Sequence, residues 1–206
     1  MQNWMRQDTP IMRGFSTLAD LALLNLLWLV CSLPIFTIGA SSAALYQCLF
    51  SLECGEGGGG RAFFRAFRDA FQRATLLWLM VLLSGIVLVT DYRLTIESSF
   101  VFRGVLIAAY VAITLLCLCS LVFLFVPPAL SASSIPRALK TAFLLGVANL
   151  PRTILVLLLW SIPFVWMITA TRSFWHFLWI WIGFGFSGIA YLSAKLFRKP
   201  LRIAEH

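Results

Sequence analysis

Uncharged apolar runs alternate along this chain with short segments that hold nearly all of its Lys and Arg. Bounded by charged residues, these runs are 21–52, 74–90, 104–136, 153–171 and 173–194. An α-helix rises about 1.5 Å per residue, so about 20 residues cross a hydrocarbon core about 30 Å thick. A spanning segment must also satisfy its backbone hydrogen bonds internally, which predicts an all-α integral membrane bundle in one transmembrane domain, 1–206. Composition agrees, with 12% charged residues and 61% hydrophobic, where soluble domains carry about a quarter charged. The net charge of +8 sits at the ends of apolar segments. It therefore reads as membrane topology rather than as a nucleic-acid surface.

The first run is too long for one ordinary span. A break is legible at Leu33-Pro34-Ile35-Phe36-Thr37-Ile38-Gly39-Ala40-Ser41-Ser42, where Pro removes a backbone donor, Gly loosens the backbone and hydroxyl side chains can satisfy freed carbonyls. A hairpin or re-entrant turn there gives six spans, at about 15–33, 35–52, 74–90, 104–127, 153–171 and 174–196; a mere kink gives five. Six spans put both termini in the cytoplasm. Of the 16 Lys and Arg, Arg93, Arg103 and Arg172 then lie outside and 13 inside, whereas five spans move Arg6 and Arg13 outward. Positive charge is retained on the cytoplasmic side, so six is the expectation. Asp20 and Asn25 interrupt the first apolar segment and a long polar lead precedes it, which argues for an anchored helix over a cleaved signal peptide.

Two cytoplasmic amphipathic helices are expected, at about 61–73 and 135–150. In RAFFRAFRDAFQR, Arg61, Arg65, Arg68 and Gln72 share one stripe, while Phe63, Phe64, Phe67 and Phe71 occupy another sector. Such a helix can serve as an elbow beneath the bundle, or its arginines can meet anionic lipid or a carboxylate-rich partner. The second segment carries Arg137, Lys140 and Arg152, and its RALKTAF echoes RAFRDAF at 65–71. A duplicated unit of span, cytoplasmic helix and span is the corresponding expectation.

The block LADLALLNLLWLVCSLPIFTIGASSAALY, from Leu18 to Tyr46, resembles the opening signature of the YesL-like bacterial membrane proteins, a family of unknown function. The likeness continues through RAFRDAF and through 142–153. It implies a small polytopic protein of the bacterial inner membrane, linked by gene neighbourhood to carbohydrate uptake systems and their sensors. No catalytic residues come with it. Asn25, Pro34, Gly39, Ala40 and Ser41 carry over as signature positions only, and the tetraglycine run at 57–60 departs from the family pattern.

Few residues suggest chemistry. Asp20 and Asn25 lie in an apolar segment, where a polar group faces a partner helix or a wet cavity. The cysteines Cys31, Cys48, Cys54, Cys117 and Cys119 have no metal-ligand spacing, and Cys117 and Cys119 point in different directions on a helix. No phosphate-loop Lys-Ser or Lys-Thr follows the glycine run, and no nucleophile with a base is visible. Trp160, Trp166, Trp175, Trp179 and Trp181 concentrate around the last two spans, and those near Arg172 read as an interfacial aromatic belt, with a sugar-stacking platform as the sharper alternative. The expectation is a non-enzymatic accessory protein without cofactor or metal, acting on a membrane transporter or sensor. The alternative is a small solute permease, as a homo-oligomer.

Overall fold

The computed structural model describes residues 10–53, 59–97, 103–127, 134–169, 176, 179 and 181–204. Every element among them is helical: α1 (Pro10–Cys31), α2 (Ile38–Glu53), α3 (Gly60–Glu97), α4 (Arg103–Leu124), α5 (Ile135–Ala148), α6 (Leu150–Thr169) and α7 (Phe186–Ala204). A 3-10 turn at Ile35–Thr37 precedes α2 and a π-helical turn at Trp181–Gly185 precedes α7. Among the described residues, four stretches are long and apolar enough to cross a membrane: Ile35–Leu52, Gly60–Thr95, Gly104–Leu124 and Leu150–Thr169. α1 itself is a helix of 22 residues, with Arg13 and Asp20 in its first half.

The break in the first run is a chain reversal. Trp28 Nε1 donates to Ser42 Oγ at 3.2 Å, and Ser32 Oγ lies 2.6 Å from Ser41 Oγ. Fourteen residues of continuous helix would hold Trp28 and Ser42 about 21 Å apart, so a kink cannot produce this contact. Thr37 stabilises the turn by donating its hydroxyl to the carbonyls of Cys31 (2.6 Å) and Pro34 (2.7 Å).

The first amphipathic segment is not a separate surface helix. Residues 61–73 and the expected span at 74–90 form one helix, α3, because the sequence from Arg61 to Ser84 offers neither Gly nor Pro to interrupt it. Its first third is the second arm of an antiparallel hairpin with α2. A Cβ on Gly39 would stand 2.6 Å from both the Ala74 carbonyl oxygen and Trp78 Cβ. Trp78 Nε1 donates to the Ile35 carbonyl at 2.8 Å. At the opposite end only residues 54–59 join Glu53 to Gly60. Ala40, Ala43, Ala44, Leu45, Cys48 and Leu49 of α2 and Phe63, Ala66 and Ala74 of α3 are buried in the core along this pair. The expected 35–52 span and the 61–73 segment therefore share one depth, although one was expected to cross the bilayer and the other to lie in the cytoplasm. Immersing both would place the exposed Arg61, Arg65 and Arg68 in hydrocarbon, at about 2.5–3.5 kcal/mol each near the centre.

The second amphipathic segment, α5, folds back along α4, with Ala138, Ala142 and Gly146 buried at helical spacing. A Cβ on Gly146 would meet the Cys119 carbonyl oxygen at 2.8 Å. Both echo motifs thus occupy the second arm of a helical hairpin. The copies then diverge. α3 continues without interruption, while Asn149 ends α5 by donating its amide to the Leu145 carbonyl and opens α6 by accepting from the amides of Arg152 and Thr153. Pro151 has no amide with which to continue the earlier helix.

Candidate functional site

Among the described residues of α1, Asn25 is a polar side chain completely out of solvent. Its Nδ2 donates to the carbonyls of Trp181 (3.1 Å) and Ile182 (2.5 Å), and its Oδ1 accepts from the Ser187 amide at 2.8 Å. Two carbonyls require the nitrogen and one amide requires the oxygen, so the partners fix the orientation of the side-chain amide. The sequence WIGFG at 181–185 forms the π-turn that presents these groups. Gly185 is required there because Trp181 folds its indole over that position, into the space a Cβ would take.

Aromatic rings enclose the clamp. Trp28, one helical turn after Asn25, stands 4.9 Å from the Phe186 ring. Trp160 and Trp181 approach the same ring at 6.2 and 6.1 Å, and Trp166 lies 6.3 Å from Trp181. Of the tryptophans around the last two spans, Trp160, Trp166 and Trp181 thus face inward against α1 and α7, whereas Trp179 is 78% exposed. Trp175 and Arg172 lie outside the described residues. Beneath the cluster, the Tyr46 hydroxyl of α2 bonds to Ser193 and Trp160. Trp181 Nε1 is buried with no partner among the described residues.

This arrangement ties α1, the π-turn and α7 into one unit. Thr37, Ser41, Thr153, Ser187 and Ser193, the other buried polar residues, each direct a hydroxyl to a nearby backbone carbonyl. Asp20 is half-buried. Five residues along a helix place it about 140° around α1 from Asn25, so the two polar residues of that segment do not converge. Pro34 lies in the exposed turn, while Gly39, Ala40 and Ser41 are buried where α2 meets α1 and α3. Among the described residues no three His, Cys, Asp or Glu side chains gather as a metal site.

A second feature is the outer face of α3's first third. Arg61, Arg65, Arg68 and Asp69 are exposed along it, and Phe64 beside them is 53% exposed. Phe63 is buried and stacks at 6.4 Å on Phe67, which stands 5.5 Å from Phe71, so the phenylalanine sector chiefly packs against the bundle. Arg137 and Lys140 are exposed on α5, and Arg152 is half-buried at the start of α6, donating to Asn149 Oδ1 at 3.0 Å. A further groove of about 440 Å³ between α3, α4 and α5 is lined by Met80, Ser84, Leu116, Cys117, Ser120 and Phe143 among others, and is mostly apolar.

Sequence reasoning singled out Asn25 but missed Trp28, Tyr46, Ser187 and Ser193. One signal was available. Ser187, Ala190 and Ala194 are small residues at helical spacing directly after a glycine-rich apolar stretch, the composition of a close helix contact.

Residues 21–92 match the family model described as protein of unknown function, DUF624, which is the YesL-like family that the Leu18–Tyr46 block resembles. The match takes in Asn25, the α1–α2 turn, α2 and the arginine face of α3. No curated protein and no solved structure matches the chain.

Proposed function

We propose that this protein is a non-enzymatic accessory component of the bacterial cytoplasmic membrane, engaging a transporter or sensor through the arginine face of α3. The observation that carries this reading is a row of exposed arginines on the first third of α3, where α2 backs the helix. A rigid backing lowers the entropic cost of binding, and arginine pairs with planar carboxylates and phosphates. The resemblance to the YesL-like family adds the carbohydrate-uptake setting.

Distances along α3 separate two roles for the row. From Ala74, where the uncharged run begins, Arg73 and Arg68 lie about 1.5 and 9 Å down the helix axis, and Arg65 and Arg61 about 14 and 20 Å. A headgroup layer is roughly 5–8 Å deep. Arg73 therefore suits anionic headgroups and Arg68 their outer limit, while Arg65 and Arg61 extend beyond them to an acidic protein surface. Both termini are cytoplasmic in this reading, supported by 13 of the 16 Lys and Arg on that side. The crossings number six if the α1–α2 hairpin traverses the bilayer and four if it turns back.

Crosslinking and recovery of the tagged protein from its native membrane, with and without Arg61→Gln, Arg65→Gln and Arg68→Gln, tests the proposal. A transporter or sensor recovered with the unsubstituted chain and lost with the triple variant supports it. Recovery of self-crosslinked chains alone refutes it, favours a homo-oligomeric permease and makes solute flux the next measurement.

A further inference from the structure

The α1–α2 turn projects apolar side chains into open space. Leu33 is 79% exposed, Ile35 67% and Phe36 51%. The hydroxyl bonds of Thr37 and the Ser32–Ser41 contact hold the turn behind them. Trp78 Nε1 on the Ile35 carbonyl pins this tip to α3, about 6 Å past the point where its charge-free run starts at Ala74. The tip therefore reaches about 6 Å into the depth that this charge-free run spans.

From that depth α2 runs back alongside Arg73, Arg68, Arg65 and Arg61, away from the apolar part of α3. It does not need lipid to cover it, since Gln47 is its one exposed side chain among those described. We infer that the α1–α2 hairpin is a wedge that enters and leaves the same leaflet, with Leu33, Ile35 and Phe36 seated among the acyl chains and α2 paired with the arginine-bearing third of α3. The partner of this surface is the headgroup–acyl boundary of one leaflet. A hairpin returns both ends to one side whether or not it crosses, so the charge asymmetry is unchanged and the crossings become four. Exposed apolar residues at a membrane boundary, flanked by arginines, are the pattern of interfacial anchors.

Leu33→Cys and Phe36→Cys, each introduced after replacing the five native cysteines with Ser, are labelled with an environment-sensitive fluorophore in proteoliposomes. Arg61→Cys and Arg93→Cys mark the two faces by their reaction with a membrane-impermeant maleimide. Spin-labelled lipid is then confined to one leaflet at a time. Loss of tip fluorescence from the leaflet on the Arg61 side alone is the expected result. Quenching from the Arg93 side shows that the hairpin crosses and overturns the inference; so does absence of quenching from either leaflet, which places the tip in water or protein. If the cysteine-free chain fails to fold, a leaflet-restricted photoreactive lipid applied to the unsubstituted protein gives the same reading. Crosslinks on the peptide carrying 32–37 must then arise from the Arg61 side.

Discussion

Replacing Asn25 with Leu keeps a side chain of similar reach and removes all three bonds of the clamp: Nδ2 to Trp181 at 3.1 Å, Nδ2 to Ile182 at 2.5 Å and Oδ1 to the Ser187 amide at 2.8 Å. Side-chain hydrogen bonds in membrane proteins contribute about 0.6 kcal/mol on average and up to about 1.7. Three of them predict a loss of roughly 2–5 kcal/mol. Because Asn25 is completely buried, water cannot replace the lost partners. Asn25→Asp keeps the acceptor for Ser187 but sets a carboxylate against two carbonyls, and should lose more than Asn25→Leu. Reversible unfolding in mixed micelles, followed by far-UV circular dichroism and tryptophan fluorescence, measures both. Hydrogen exchange at the Ser187 amide supplies a local reading and should accelerate in both variants relative to amides of α4. An Asn25→Leu change within about 0.5 kcal/mol of the parent, the range of an inert surface substitution, would refute the clamp. So would unchanged exchange at Ser187.

Three further outcomes are expected. Gly39→Ala drives a methyl to 2.6 Å from the Ala74 carbonyl and Trp78 Cβ, and should cost about 1–3 kcal/mol by overpacking; Gly85→Ala, with nothing within 4 Å, should cost nothing in the same unfolding assay. Tyr46→Phe removes the hydroxyl shared with Ser193 and Trp160 and should lose about 0.6–1.7 kcal/mol, again by micelle unfolding. In folded protein in micelles, mass spectrometry after brief N-ethylmaleimide treatment should find Cys117 modified before the buried Cys48 and Cys119; equal rates would contradict the packing of α2 in the core and of α5 on α4.

Membrane residence, helical class and the position of the first chain reversal follow from the sequence because they depend on local quantities. The length of an uncharged run sets whether a helix can cross, and Pro34 followed by Gly39 and Ser41 marks where one must turn. Opposite exposure of Cys117 and Cys119 follows equally from helical periodicity. The arginine stripe was legible as a stripe, but its setting was not. Periodicity shows which residues share a face and carries nothing about what covers it, so the fusion of 61–73 into α3 and its pairing with α2 emerged only from tertiary contacts. Asn25 is the clearest instance. Its cost in an apolar segment is visible in the sequence, yet its partners at Trp181, Ile182 and Ser187 lie more than 150 residues away. A side-chain hydrogen bond is directional and short-ranged, so only the packing of α1 against the π-turn could decide which distant backbone groups meet that amide.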